Sequence, residues 1–216
     1  MKRERRHLWL DTRDLPAPSE SWLFSERSLN GQITTRPKYL QLKCGKCHRI
    51  DEYKAVSSGS LTLDVPVAAK KRDVWATDDS QLIVSRRFVQ VVDEHLSADL
   101  FQFFATDQLD WFVAWPKMVI EVPPDAPVYK PLEFARPGDP FQIRGKRCQK
   151  CGRFRETTWM PMYFHVPAEV TFAGVRLEHA SGMSVTYIVS TLVLSTLLRE
   201  KVRGVSCAPE WFASDR

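Results

Sequence analysis

The sequence predicts an α+β protein, strand-rich with few helices, built as two pseudo-symmetric units that pack as one domain, each unit a zinc knuckle plus β-α-β. Three observations predict it. Two C-x-x-C pairs, Cys44/Cys47 and Cys148/Cys151, recur 104 residues apart. Each is followed by an apolar run ending in Ile-Val-Ser, and the two triplets, ending at Ser85 and Ser190, lie 105 residues apart. Each triplet opens a helical pattern that leads into another apolar run. A difference of one residue over that distance argues for two copies of one unit.

In the first unit Leu82-Ile83-Val84 is a short run of strand formers. Ser85 stands where a helix starts, and Phe88, Val91, Val92 and Leu96 follow at helical spacing. In the second, Tyr187-Ile188-Val189 and Ser190 precede Leu194, Leu197, Leu198 and Val202. The runs Leu100–Phe104 and Val202–Cys207 supply the closing strands. A right-handed crossover makes the flanking strands parallel if they share a sheet. A serine between strand and helix can be a nucleophile, but neither has a G-x-S-x-G context. An N-cap, worth about 1 kcal/mol, accounts for both.

The organisation along the chain is therefore an N-terminal arm and lead-in (1–40), a first repeat (41–110), a proline-rich connector (111–145) and a second repeat (146–216). Within the connector "WFVAWPKMVIEV" reads as strand, and prolines at 116, 123, 124, 127, 131, 137 and 140 exclude a long helix. A length of 216 residues with 44% hydrophobic content suffices for an ordinary core. The basic start is not followed by an apolar segment, since Asp11, Arg13 and Asp14 come at once, so no secretory signal is expected. The longest apolar stretch, Val185–Leu198, is too short to span a membrane and reads as core. A cytoplasmic protein without a membrane partner is the expectation.

The net charge of +5 is unevenly spread. Residues 2–6 carry four positives and one negative, whereas residues 73–110 carry eight acids against Arg86 and Arg87, a local net of −6. Asp78, Asp79, Asp107 and Asp110, beside Trp111 and Phe112, are candidate contacts for a basic partner; a solvated helix face with buried aromatics is the plainer reading.

Four of the five cysteines lie in the two pairs, and Cys207 stands alone as a small buried hydrophobe. A C-x-x-C turn presents two thiolates, and two such knuckles complete a tetrahedral four-cysteine set with Zn–S distances of about 2.3 Å. Cys44, Cys47, Cys148 and Cys151 are therefore candidate ligands of one structural zinc ion per chain, clamping the two halves. Lys43, Lys46, Arg49, Lys146, Arg147, Lys150 and Arg153 surround the pairs, favouring thiolate and offsetting the charge of the centre. Two readings compete. A thioredoxin-like pair has to explain why the motif occurs twice with lysine inside it. Covalent haem at Cys47-His48 requires export, and the second motif has Gly152 where histidine is needed. His7, His95, His165 and His179 form no ligand cluster in sequence, and His95 reads as a partly exposed helix residue.

Cys44-Gly-Lys-Cys47 and Cys148-Gln-Lys-Cys151-Gly152, with the Ile-Val-Ser helix in each unit, resemble the double-CXXCG family, bacterial immunity proteins of polymorphic-toxin loci. The resemblance covers the chain from about residue 40. It implies a non-enzymatic inhibitor that binds a cognate toxin domain in the cytosol and blocks its active site. One departure stands out: His48 replaces the glycine that eases the first knuckle's turn, which makes His48 a candidate alternative ligand. In keeping with a non-enzyme, the chain has no Gly-rich phosphate loop, H-E-x-x-H or paired-carboxylate signature. The alternative is a zinc-knuckle nucleic-acid-binding protein, because Arg144, Lys146, Arg147, Lys150, Arg153 and Arg155 lie together with no acid among them, close to Phe154 and Trp159.

Overall fold

Among the described residues strand pairing forms a four-stranded, a five-stranded and a two-stranded sheet, joined by four helical segments. The computed structural model describes residues 7–11, 23–27, 30, 32–59, 61–63, 71–77, 81–122, 148–151, 171–177 and 186–208. Asp78, Asp79, the connector beyond Val122, residues 1–6 and the basic residues flanking Cys148–Cys151 lie outside them, apart from Lys150. In chain order the elements are β1 (His7–Asp11), β2 (Ser25–Arg27), β3 (Ile33–Thr35), a 3-10 turn (Pro37–Leu42), α1 (Glu52–Ser57), β4 (Val74–Ala76), β5 (Leu82–Ser85), α2 (Arg86–His95), β6 (Phe101–Ala105), β7 (Trp111–Pro116), β8 (Val119–Val122), β9 (Phe172–Leu177), β10 (Thr186–Ser190), α3 (Thr191–Arg199) and β11 (Ser206–Ala208). The α+β, strand-rich class expected from the sequence is the class observed.

The four-stranded sheet has the order β4-β5-β7-β6, every neighbour antiparallel. Helix α2 carries the chain from β5 to β6, and both run antiparallel to β7, so they are parallel to one another with β7 between them. The five-stranded sheet has the order β11-β1-β10-β9-β8, antiparallel except for the β8–β9 pair. Here α3 leads from β10 to β11, which are parallel with β1 between them.

The registers agree as well. Val84 pairs with Val74 and Phe112, and Val189 pairs with Phe172 and Leu8. Ser85 lies opposite Trp111, and Ser190 opposite His7. The Ser85 N–H donates to the Asp73 carbonyl at 2.8 Å, and the Ser190 N–H donates to the Thr171 carbonyl at 2.8 Å. Strand β1, from the far end of the chain, occupies beside β10 the place that β7 occupies beside β5.

Both main helices begin as their sequences require. Ser85 Oγ accepts from the Phe88 N–H and Ser190 Oγ from the Val193 N–H, each at 3.3 Å. Helix α2 buries Phe88, Val91 and Val92; α3 buries Val193, Leu194, Thr196 and Leu197. Helix α3 ends in a Schellman arrangement. The Val202 N–H reaches the Leu197 carbonyl at 2.9 Å and the Lys201 N–H reaches that of Leu198 at 3.0 Å, with Lys201 left-handed at φ 55°.

One hydrophobic core runs through both sheets, from Val74, Trp75, Ile83 and Phe88 to Phe172, Tyr187, Val189 and Leu197. The rings of Phe101 and Phe172 meet at 4.2 Å between centroids. Tyr187 reaches across so that its hydroxyl accepts from the Leu82 N–H at 3.2 Å, and burial pushes that hydroxyl's pKa up, keeping it neutral. The loop after α3 then seals the edge at β4. The N–H groups of Asp73 and Val74 donate to the Arg203 carbonyl at 2.8 and 3.1 Å. Gly204, at φ 88°, fits because a Cβ there would lie 2.3 Å from the Val74 carbonyl oxygen.

Candidate metal centre

The first knuckle is a turn fixed by its own backbone. The 3-10 turn delivers Lys43 into a bridge with Ile50, and across that bridge the Cys44 N–H donates to the Arg49 carbonyl at 2.8 Å. The His48 N–H donates back to the Cys44 carbonyl at 2.8 Å. Closing so tight a loop requires a left-handed residue, and His48 supplies it at φ 60°. His48 thus takes the conformation that glycine favours.

The two knuckles converge. Cys44 Sγ lies 3.7 Å from Cys148 Sγ, and Cys47 Sγ lies 3.4 Å from Cys151 Sγ. All four sulfurs fall within 4.8 Å of one another. Sulfurs held about 2.3 Å from a shared ion at tetrahedral angles sit about 3.8 Å apart, so this spacing fits a metal. It is far too long for a disulfide, and the four cysteines are free thiols. Among the described residues these four form the only group of three or more ligand-type side chains spaced to hold a metal, and His48 is exposed and not part of it.

The local electrostatics favour thiolate. Backbone N–H groups of Cys47 and Lys46 donate to the Cys44 sulfur and hold its pKa below the ordinary thiol value against the opposing effect of burial. For Cys148 the N–H of Cys151 contributes most, burial opposes it, the Lys150 N–H adds to it, and the result is about 6. The knuckles also touch through their lysines. Lys46 Nζ donates to Gln149 Oε1, and Lys150 Nζ packs over Gly45, 3.3 Å from where a Cβ would stand.

The other sequence-singled residues have local partners. The Asp107 carboxylate accepts from the Leu63 N–H at 2.8 Å, tying the 61–63 segment to the end of β6. Asp110, left-handed at φ 69°, forms an ion pair with Arg86 and accepts the Arg86 N–H on its carbonyl at 2.8 Å. Trp111 is half-buried, edge-on to Trp75 with centroids 6.3 Å apart. His95 is partly exposed on α2, within 3.8 Å of Glu94 and 3.7 Å of Glu200. Ser85, besides capping α2, donates through Oγ to Asp73 at 2.9 Å.

The Asp73 network escaped the sequence reading. Its carboxylate is buried and accepts from the Ser85 hydroxyl and from the N–H and Nε of Arg203, at 2.9 and 3.2 Å. Burial pushes its pKa up, but the Arg203 and Ser85 hydrogen bonds prevail and hold it below the usual carboxylate value. Nothing local marks it, because Arg203 is 130 residues away.

No family model, curated protein or solved structure matches the chain. No helix among the described residues is long and apolar enough to cross a membrane.

Proposed function

We propose that the chain is an immunity protein, which binds a cognate bacterial toxin domain one to one in the cytoplasm and occludes it sterically without turnover. A single structural zinc ion clamps its two halves. The observation that carries this reading is the convergence of Cys44, Cys47, Cys148 and Cys151, the residues on which the resemblance to the double-CXXCG family rests. Four thiolates fill a tetrahedral shell and leave no position for water or substrate, as expected of a structural site.

Pseudo-symmetry of the halves has support of its own. A twofold axis relating two copies brings equivalent residues face to face. Cys44 meets Cys148 and Cys47 meets Cys151 at a separation of 104, and Leu82 meets Tyr187 at 105. The lysine contacts of the knuckles are reciprocal, and β5 and β10 keep matched registers with their neighbours.

For the partner surface we favour the turn between β6 and β7. Leu109, 83% exposed, stands there between Asp107 and Asp110. An apolar tip flanked by acids suits a basic partner with a pocket for an anchor. Asp78 and Asp79 belong to the same acidic stretch of sequence.

The test is co-expression with a toxin domain encoded next to this chain, followed by titration of purified components. Neutralisation complete at one equivalent, with one zinc per chain, is the expected result. Neutralisation at substoichiometric amounts makes the inhibitor an enzyme. Base-selective nucleic-acid binding that persists at about 150 mM salt favours the nucleic-acid reading instead.

A further inference from the structure

We propose that the outer sulfur pair of the centre, Cys47 and Cys151, is an oxidation site at which a peroxide forms a disulfide between the two knuckles and discharges the metal. This rests on the metal-centre reading above. The two cross-knuckle contacts are unequal. The inner one joins half-buried Cys44 to fully buried Cys148 at 3.7 Å. The outer one joins half-buried Cys47 to exposed Cys151 at 3.4 Å. An oxidant has to reach one sulfur from solvent, and the second sulfur has to reach the first. Of the two cross-knuckle contacts, only the outer one combines an exposed member with the shorter separation. Closing it to a bond of about 2.05 Å requires about 1.4 Å of relative movement.

The step balances with hydrogen peroxide as the two-electron oxidant. The Cys151 thiolate attacks one peroxide oxygen, the O–O bond breaks, and the departing hydroxide takes a proton to become water. Cys151 is then a sulfenic acid. The Cys47 thiolate attacks that sulfur, the S–S bond forms, the S–O bond breaks, and a second hydroxide leaves as water after protonation. Two thiolates are oxidised, one peroxide is reduced to two waters and two protons are consumed. Cys44 and Cys148 remain as two ligands, half the original shell, and the ion leaves to solvent. Oxidation thereby exchanges a metal tie between the halves for a covalent one.

The sequence makes the product easy to read. Trypsin places each of the four cysteines on its own tripeptide: Cys44–Lys46, Cys47–Arg49, Cys148–Lys150 and Cys151–Arg153. The experiment treats zinc-loaded full-length protein carrying Cys207→Ser, which removes the remaining thiol, with one to five equivalents of peroxide. A chromogenic indicator reports free zinc, residual thiols are alkylated, and the digest is analysed by mass spectrometry. Expected are release of about one zinc per chain and the linked pair Cys47–Arg49/Cys151–Arg153, both reversed by a dithiol plus zinc. Linkage within a knuckle, or between Cys44 and Cys148, overturns the site. So does zinc retained at peroxide doses that oxidise a free cysteine peptide. Protein isolated without zinc, and unable to take it up, overturns the metal centre and this proposal with it.

Discussion

Asp73 and Arg203 hold each other through three hydrogen bonds, two from Arg203 to the Asp73 carboxylate and one from the Asp73 N–H to the Arg203 carbonyl, which also accepts from the Val74 N–H. The carboxylate is 3% exposed, and it also accepts from Ser85 at the start of α2. One buried charge thus fixes the β4 edge, the start of α2 and the loop after α3.

Asp73→Ala leaves the Ser85 hydroxyl and the Arg203 N–H without their acceptor. A loss of about 2–4 kcal/mol is expected in denaturant titration. Arg203→Ala keeps the backbone bonds and removes only a half-exposed guanidinium, so about 1 kcal/mol or less is expected. Equal losses would show that the side-chain pair, not the backbone N–H and hydroxyl donors, carries the contact.

Because the folded-state pKa of Asp73 is depressed, its contribution is fully present above the unfolded value of about 4 and is lost as pH falls through the folded value. The stability difference between the wild type and Asp73→Asn should therefore be constant near neutrality and shrink on acidification below about pH 4. Unfolding curves at several pH values check this. A difference that grows toward low pH contradicts the sign.

Gly204→Ala sets a methyl against the Val74 carbonyl and strains a left-handed residue. A cost of at least about 2 kcal/mol is expected by thermal or chemical unfolding, with zinc content unchanged.

His48→Gly removes the strain of a side chain at φ 60° and should raise stability by about 1 kcal/mol while zinc stays bound. His48→Ala should keep its zinc too. Loss of metal in either variant would place the imidazole in the ligand set. Cys148→Ser, by contrast, should lose the ion and several kcal/mol with it.

The parts of this molecule legible in the sequence are the ones written locally. Ser85 and Ser190 announce their helices because a cap is a contact over three residues. The cysteine pairs announce a four-cysteine cluster spaced to hold a metal because each knuckle is complete in four residues, and the 104-residue spacing links the two. Strand-forming residues at Trp111–Pro116 are equally visible, but their insertion between β5 and β6 is not, since a strand's pattern does not name its neighbours. The same holds for His7–Asp11, five residues in a charged setting that pair with β10 and β11. The Asp73–Arg203 contact is hidden for the same reason, as neither residue's surroundings point to the other. In the acidic stretch Asp110 is engaged by Arg86, a pairing that charge counting along the chain does not reveal.

The position of β1 between β10 and β11 carries a consequence for how the chain is made. It is translated well before both strands that flank it, which lie after residue 185. The four-stranded sheet, drawn wholly from residues 74–116, can assemble while synthesis continues. The five-stranded sheet has to wait, with its earliest strand unpaired throughout that interval, and its closure brings together segments widely separated in the order of synthesis. A nascent chain stalled at residue 150 would therefore hold one finished sheet and a waiting β1, a state open to chaperone capture or to strand exchange with a neighbouring copy.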